Sequence, residues 1–424
     1  MKLTKKVLGV VVTALIGATA FAQKISFAQG PFNYYEAGNI VSNTRISTVG
    51  LYYTDVDNFM SVTRWNTVKP ETFFGHIGYE DELNVGFAKQ FKDFYIGTSF
   101  VGQLDGLIST TTNNDGDKTT TTETSVENAF TAAALFGFGN MAFKATAAWN
   151  GADITNTKNV DGDVIKEENF NLNINLENGF VTKLDDKPLE MSFLLGLDSS
   201  VDKKVDETAD SKTDLSTYTI NVGSSALWTF DTKEKYTQEG LLHLYTSWAI
   251  PSYSQDIGGV KSKGFGMYNN SIALIPEYRI TLNPTERLSM KAGATLPFTF
   301  DFEGDFDYSE TDGDKIYNNL RTENVDVEIQ PMISLGMIYQ VLPEKVNFNM
   351  GIEFATPSLT WETVTTKTRT DVTSKDVDAT STTTVYNYND YTAGVNFGSG
   401  FTVQLAKTVT FDCSWNILSN LFVT

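Results

Sequence analysis

The sequence predicts an all-β protein: a transmembrane antiparallel β-barrel of about 14–16 strands, with short periplasmic turns and long extracellular loops. Three observations lead to this prediction. One long segment alternates between apolar and polar residues over almost its whole length, the same alternation recurs in a series of hairpins, and the chain begins with an export signal.

The clearest strand signal lies in residues 287–303, where apolar and polar side chains alternate. Successive side chains of a strand point to opposite faces, so this pattern predicts one apolar face and one polar face. The segment is far longer than the roughly 5–6 residues of a typical soluble strand. It suits a tilted strand that crosses a bilayer in about 9–11 residues and continues beyond it. Its apolar positions are Leu288, Met290, Ala292, Ala294, Leu296, Phe298, Phe300 and Phe302.

Seven pairs of alternating segments follow this pattern; tight turns join six of them, and five of these turns contain Gly, Asn, Asp or Pro. Such links are typical of β-hairpins. The pairs are 83–91 with 94–103, 129–138 with 141–150, 170–184 with 189–198, 215–230 with 241–251, 271–282 with 287–303, 325–341 with 346–354, and 393–405 with 409–417. A longer polar stretch joins the fourth pair, and residues 45–56 offer one further strand. A change of phase between Phe354 and Leu359, around Pro357, predicts a β-bulge.

Long polar segments rich in Thr, Asp and Lys separate the hairpins and are predicted to be extracellular loops; they are residues 105–127, 151–168, 199–214, 304–323 and 365–384. Short turns at one end and long loops at the other are typical of an outer-membrane barrel. A large soluble β-sandwich or propeller is the alternative, but it would not need so many outward aromatic residues. The last predicted strand ends on the loop side, so either a final descending strand is missing, or residues 416–424 fold back, or one early strand assignment is wrong.

The N-terminus is typical of a secretory signal peptide. Basic residues at positions 2, 5 and 6 precede an apolar run over 7–20, and Ala20-Phe21-Ala22 supplies a cleavage pattern. An uncleaved anchor helix is the alternative, but the apolar run is short for a span of about 20 residues. We therefore expect a signal peptide over 1–22 and a barrel over 45–424 in the bacterial outer membrane. Residues 23–44 could plug the lumen or form N-terminal coil.

The composition excludes several classes of protein. A single cysteine, Cys413, excludes an intrachain disulfide framework, and two histidines leave little material for a metal site. The net charge of −20 disfavours nucleic acid as a partner. It suits a surface that holds divalent cations, a pore that prefers cations, or an acidic exterior that keeps the protein soluble. The expected partners are outer-membrane lipid, the outer-membrane assembly machinery, and small solutes or hydrophobic ligands; no cofactor is expected.

Charged residues on the polar side of the alternation are the candidate functional residues. A Lys or Arg facing lipid at mid-depth would cost about 2–4 kcal/mol, so these residues are predicted to line the lumen. There they could form a structural network or tune which ions pass. They are Glu277, Arg279, Arg287, Lys291, Glu328 and Glu353. Arg279 and Arg287 flank one turn and are expected to meet near the periplasmic mouth.

Other motifs do not predict an enzyme or a metal site. His243 and Ser247 share one strand face but are about 13 Å apart, too far for a catalytic pair on their own. Asp-Gly-Asp occurs at 115–117, 161–163 and 312–314, without the spacing of a twelve-residue calcium loop, and is read as a tight turn. Threonine tracts at 110–112, 119–122 and 380–384 could be glycan acceptors, adhesive surface, solvated loops, or strands that continue above the membrane.

The sequence resembles spirochaete-type outer-membrane β-barrel proteins. The resemblance rests on the segments GFAKQFKDFYIG (residues 86–97), FGFGNMAFK (136–144) and LNPTERL (282–288). It implies a porin-like channel for passive passage of small solutes. A weaker resemblance to FadL-type fatty-acid channels implies transport of hydrophobic molecules past an N-terminal hatch. The Asn-Pro-Ala element of that hatch is not found in residues 23–80. A surface adhesin or structural outer-membrane protein is the third alternative.

Overall fold

The computed structural model describes residues 43–68, 71–77, 82–103, 109–115, 119–126, 130–158, 164–207, 211–233, 235–257, 260–264, 268–306, 321–368, 379–387, 394–406 and 409–418. Strands dominate these residues and belong to one antiparallel sheet. The helices are short: α1 (Asn43–Ser47), α2 (Asp55–Asn58) and a 3-10 turn (Trp65–Thr67). Within the described residues, none of the helices has the length and apolar character needed to cross a membrane.

The sheet contains 22 strands within the described residues. They are β1 (Glu71–Ile77), β2 (Glu82–Gln90), β3 (Tyr95–Gln103), β4 (Ser109–Asp115), β5 (Thr119–Val126), β6 (Phe130–Phe138), β7 (Met141–Lys158), β8 (Val164–Leu184), β9 (Lys187–Asp206), β10 (Ser211–Lys233), β11 (Tyr236–Ile257), β12 (Val260–Gly264), β13 (Tyr268–Thr285), β14 (Leu288–Thr295), β15 (Phe298–Phe306), β16 (Arg321–Ile329), β17 (Met332–Leu342), β18 (Val346–Ala355), β19 (Leu359–Thr368), β20 (Ala379–Asn387), β21 (Gly394–Ala406) and β22 (Val409–Leu418).

Seven pairs of consecutive strands each form one strand path that is interrupted by a short gap. In each pair, the two strands bond to the same neighbouring strand, or to two strands that themselves continue one another. The pairs are β3/β4, β5/β6, β12/β13, β14/β15, β16/β17, β18/β19 and β20/β21. Counted this way, the described strands follow fifteen antiparallel paths, within the predicted range. Since the paths alternate in direction, the first and last, β1 and β22, run the same way.

The predicted hairpins are confirmed, and several strands are longer than predicted. Tight turns join β8 to β9 and β6 to β7, with positive φ at Asp185, Asp186 and Gly139 as such turns require. The polar stretch predicted between residues 230 and 241 is not a long link, because β10 runs to Lys233 and β11 starts at Tyr236. The residues of this stretch pair between β10 and β11 as far as Lys233 and Tyr236, although they are mostly polar.

Two further predictions differ from the structure. Residues 45–56 are not a strand, since they contain α1 and the start of α2. The segments predicted as long loops consist largely of strand where they are described, including the threonine tracts in β4, β5 and β20. The signal peptide 1–22, residues 23–42, most of each Asp-Gly-Asp motif, and segments 307–320 and 369–378 lie outside the described residues.

A row of prolines crosses four neighbouring strand paths at one level. The Leu296 amide donates to the Pro276 carbonyl at 3.0 Å, the Gln330 amide to the Pro297 carbonyl at 3.4 Å, and the Thr356 amide to the Pro331 carbonyl at 2.9 Å. Strands β14, β16 and β18 stop here and their continuations resume beyond it. Proline lacks an N–H group and therefore interrupts the ladder at bulges. The predicted irregularity at Pro357 is confirmed, and the predicted continuous strand over 287–303 is divided at Pro297.

The two faces of the sheet have opposite polarity, and the apolar face is the exposed one. Large apolar side chains such as Phe136, Leu195, Leu244, Ile333 and Trp415 are exposed to the surroundings. The opposite face buries polar and charged side chains, including Lys144, Glu177, Asn221, Arg279 and Glu353. A soluble sheet buries its apolar face, so this sheet has the reverse arrangement.

The inner segment, residues 43–68, lies against the polar face. Its contacts extend from β1, where the Phe74 ring packs at a tilt against Phe59 with ring centroids 4.7 Å apart, to β22, where Asp412 accepts from the Thr44 amide at 2.8 Å. Glycines on the strands allow this close approach. A Cβ atom added at Gly137 would lie 2.6 Å from ring carbons of Trp65, and one added at Gly351 would lie 2.6 Å from the Thr48 carbonyl carbon.

Candidate functional site: the charged cavity beside the inner segment

Polar contacts attach the inner segment to widely separated strands. The Tyr52 hydroxyl donates to the Ser289 hydroxyl of β14 at 3.0 Å. Thr63 Oγ1 and Arg64 Nε both donate to one carboxylate oxygen of Glu190, on β9, at 2.9 Å. These bonds fix the segment's position relative to both halves of the sheet.

An apolar cluster holds the inner segment against the first strands. Phe59, Met60 and Trp65 pack on Tyr95, whose hydroxyl donates to the Phe59 carbonyl at 2.9 Å. The Trp65 and Tyr95 rings are 5.4 Å apart between centroids. Since the exposed face of the sheet is also apolar, these strands are apolar on both sides here. The inner segment fills the space in front of them, so this region offers little room for an apolar ligand.

A cavity lies between the inner segment and β7–β11. Its empty volume is about 650 Å³, part of which is open solvent. Charged and hydroxyl side chains dominate the lining, together with a few apolar residues. The lining residues used below are Tyr53, Arg64, Lys144, Glu177, Glu190 and His243. Such a lining suits water and small polar solutes better than an acyl chain.

Oppositely charged side chains are paired around the cavity. Lys144 and Glu177, on adjacent strands, form a buried pair at 2.8 Å. Arg64 pairs with Glu190 at 2.9 Å and lies over the Tyr53 ring, 5.4 Å from its centroid. In both pairs a charge removed from bulk water has a compensating partner, which a low-dielectric site requires.

The Arg64–Glu190 pair also belongs to a larger group of charges, which is called the charge cluster: Arg64, Glu190, Glu239, Glu277, Arg279 and Lys291. Arg279 Nη2 donates to Glu277 Oε2 at 3.1 Å, and Arg279 Nε donates to the other oxygen of the same carboxylate. Lys291 pairs with Glu239 at 3.1 Å. Arg64 and Arg279 also attract Glu239 electrostatically. Three carboxylates and three cations therefore balance within this cluster.

The inner segment contributes groups that keep their ordinary protonation near neutral pH. Burial alone would lower the pKa of Arg64, but the adjacent Glu190 carboxylate raises that pKa above its ordinary value. Burial raises the pKa of Tyr52, and its hydrogen bond to Ser289 opposes the shift. Arg64 is therefore a fixed cation and Tyr52 a neutral donor.

The structure places five of the six predicted residues on the polar side of the sheet. Glu277, Arg279 and Lys291 meet in the charge cluster. Glu353 accepts hydrogen bonds from Ser334 at 3.2 Å and Asn396 at 3.1 Å. Glu328 lies farther along β16, opposite Thr299 of β15.

Arg287 differs from the prediction. It lies in the turn between β13 and β14 with an exposed side chain, whereas Arg279 is 1% exposed within the charge cluster. The two arginines therefore do not meet. The alternating pattern was extended one residue too far, into the turn, where side chains no longer follow strand geometry.

Sequence reasoning missed the inner segment and its partners Glu190, Glu239 and Asp412. Glu239 lies in the stretch predicted as a polar link, and residues 45–56 of the inner segment are predicted as a strand of the barrel wall. Lys144 and Glu177 had a usable signal, because each is a charged residue on the polar side of a predicted strand. The pairing of these residues depends on contacts distant in sequence.

Neither a metal centre nor a catalytic pair emerges from the described residues. No group of three or more His, Cys, Asp or Glu side chains there is arranged to hold a metal ion. His243 is buried on the polar face of β11 beside Arg279, and Ser247 lies four residues farther along the same strand. No nucleophile–base hydrogen bond involving Ser247 accompanies them in the part of the chain that is described.

Comparisons with known proteins assign no family to this arrangement. No protein-family model matches the chain, and no curated protein matches it significantly in sequence.

Proposed function

We propose that this protein is an outer-membrane β-barrel channel that passes small polar solutes through a polar lumen, with the inner segment acting as a plug. The observation that carries the proposal is the reversed polarity of the sheet. An exposed apolar face suits contact with lipid, and a buried polar face suits a water-filled interior. No compact soluble fold gains from that arrangement.

The inner segment supports closure of the sheet into a barrel. One short segment reaches β1 and β3 at one end of the sheet and β21 and β22 at the other. A sheet can surround a segment in this way only if it curves around it. With fifteen paths, closure would join β1 to β22 as a parallel pair.

The polar lumen favours hydrophilic solutes. The cavity beside the inner segment has charged and hydroxyl lining, and paired charges line the wall from β7 to β14. Lumen charges and hydrogen-bonding groups determine which solutes pass a barrel of this size. Because the inner segment fills part of this lumen, flow depends on its position.

A FadL-like conduit for hydrophobic molecules is the second candidate, and the inner segment is the observation that favours it. An N-terminal plug was the feature expected of such a conduit. If the inner segment moved, the strand surface that now packs against Phe59, Met60, Val62 and Trp65 on β3 and β6 would become an apolar path. In the described state that cluster is closely packed, so the polar route is the better supported of the two.

Single-channel recording in planar bilayers tests the proposal. We expect the purified mature chain to require detergent and to insert with stepwise conductance. A chain that stays in aqueous solution as a folded monomer without detergent would overturn the barrel and the channel together.

A second measurement separates the alternatives. Vesicles containing the protein should admit small sugars and ions but should not accelerate the transfer of a fluorescent long-chain fatty acid. The opposite pattern would support the hydrophobic conduit. If neither sugars and ions nor the fatty acid cross, both transport functions are excluded, and the surface adhesin or structural protein is the function that remains.

A further inference from the structure

The loop-side half of the proposed lumen carries a row of carboxylates that form no ion pair with any described Lys or Arg side chain. Beyond the row of prolines, Asp301 of β15 lies directly opposite Asp326 of β16, and Asp326 lies directly opposite Glu362 of β19. Directly opposite residues of antiparallel strands share a face. Phe300 and Trp361, one residue away, are exposed on the apolar face, so the acids face the polar side. These three residues are called the acidic row.

Two further acids extend the acidic row along the same face. Glu303 lies two residues beyond Asp301, and Glu328 two residues beyond Asp326. Three of these five acids accept hydrogen bonds from neutral amides. Asn269 donates to Glu303 at 2.8 Å, and Asn324 donates to both Asp326 and Glu362 at 3.2 Å. Among the described side chains, no Lys or Arg forms an ion pair with any of the five.

The contrast with the turn-side half of the lumen is physically significant. There, Glu177, Glu190, Glu239 and Glu277 each pair with a cation of the protein. Like charges directly opposite each other on neighbouring strands are destabilising, so the acidic row costs stability as it stands. A cation from solution would remove that cost.

A buried hydroxyl adds an independent indication of a ligand. Thr299 is 4% exposed, and its Oγ1 has no hydrogen-bond partner among the described residues. It shares a face with Asp301, two residues away, and lies directly opposite Glu328. A buried hydroxyl normally has a partner. An incoming hydrated cation, or one of its water molecules, would supply one.

We propose that the acidic row, with Glu303, Glu328 and Thr299, selects small cations as the solutes of this channel. No three carboxylates in the described residues are arranged to ligate a metal ion, so selection is electrostatic and acts on hydrated cations. The inference rests on the proposed channel, because it needs a lumen through which solutes pass.

The reversal potential in a KCl gradient tests this inference. We expect the wild-type channel to prefer K⁺ over Cl⁻. Asp326→Asn, at the centre of the row, should lower the permeability ratio roughly twofold or more, and Asp301→Asn/Asp326→Asn/Glu362→Gln should nearly abolish the preference. The matched control is Asp186→Asn, the same charge change in the exposed turn between β8 and β9, and it should leave the ratio unchanged.

A second measurement distinguishes failure of this inference from failure of the channel. The unfolding temperature of the full mature chain in detergent is compared in MgCl2 and in NaCl at equal ionic strength. Binding to the folded state raises that temperature, so Mg²⁺ should stabilise the wild type and Asp186→Asn more than the triple variant. Equal stabilisation of all three would mean diffuse binding to an acidic protein and would overturn the inference. A conducting wild type without cation preference would also overturn it, whereas a silent wild type would overturn the channel and leave the Mg²⁺ comparison to decide the acidic row.

Discussion

Glu190 is the residue on which the attachment of the inner segment to β9 depends. One of its carboxylate oxygens accepts from both Thr63 and Arg64 at 2.9 Å. Glu190→Gln would retain the shape and remove the charge, weakening the attachment by roughly 1–3 kcal/mol, as for hydrogen bonds to charged groups. We expect the inner segment to be cleaved faster by protease in the folded protein, and the channel to open more often.

Glu167→Gln is the matched control for that variant. It neutralises a carboxylate paired with Lys204 near the loop side, where both side chains are about half exposed. Exposed pairs contribute little, so cleavage and opening should match the wild type. Equal protease protection in Glu190→Gln and the wild type would show that other contacts hold the segment.

Arg279 neutralises a carboxylate that has little contact with solvent. Arg279 and Glu277 are 1% and 5% exposed and make two hydrogen bonds with each other. Arg279→Gln would leave Glu277 without its nearest cation, which typically costs about 3–5 kcal/mol at a buried pair. Urea unfolding from lipid vesicles should show this loss. Glu277→Gln/Arg279→Gln should recover most of it, and an additive loss in the double variant would contradict the assignment.

Among the elements, β8–β11 are the longest, with 20 to 23 residues each. Crossing a bilayer takes about 9–11 residues. In β9 the exposed apolar positions end at Leu197, and the remaining residues, 199–206, are mostly polar and add roughly 25 Å. These strands therefore continue as a sheet beyond the apolar band. Cross-strand pairs such as Lys204 with Glu167 replace the apolar contacts there.

Glycines in the sheet set how closely the inner segment can approach. Gly351→Ala would place a Cβ about 2.6 Å from the Thr48 backbone, so the segment would have to shift. We expect faster proteolysis of the inner segment and a lower unfolding temperature. Gly240→Ala is the control, because its Cβ would meet only the Phe230 ring at an ordinary 3.5 Å. If both variants behave alike, contact with the inner segment is not the reason for a glycine at position 351.

At the scale of the whole molecule, closure requires β1 and β22 to be neighbours. Gly75 of β1 has space for a side chain, and the single native cysteine, Cys413, lies on β22 on the same face as the exposed Phe411 and Trp415. Gly75→Cys should therefore crosslink to Cys413 within one chain when a short bismaleimide is added to protein in vesicles. We expect a shifted band on a denaturing gel that is independent of protein concentration.

The control for closure is Gly240→Cys, on β11, far from β22 in the order of the sheet. It should not crosslink to Cys413 within a chain. Crosslinking of Gly240→Cys, or none of Gly75→Cys, would indicate that the first and last strands do not meet.

Much of the sheet was predictable because strand alternation is a local property. Phe300 and Thr299 fall on opposite faces for the reason that any neighbouring strand residues do, and a few residues suffice to read that pattern. Turns such as Asp185-Asp186 have equally local causes. The inner segment was not predictable in this way. Residues 45–56 contain enough β-favouring residues to suggest a strand, but they hold the end of α1, a turn and the start of α2, and they contact strands distant in sequence.

Local sequence was enough to predict the two faces of the sheet, the hairpins and the positions of most polar-face charges, since each depends on residues close together in the chain. Which of these charges pair was visible only in the folded protein. Arg64 with Glu190, Lys291 with Glu239 and Thr44 with Asp412 are brought together across tens to hundreds of residues. The same long-range register places Asp301, Asp326 and Glu362 in one row, and no described Lys or Arg forms an ion pair with them. The physical reason is that alternation assigns a side chain to a face, whereas strand pairing across the sheet assigns its neighbours.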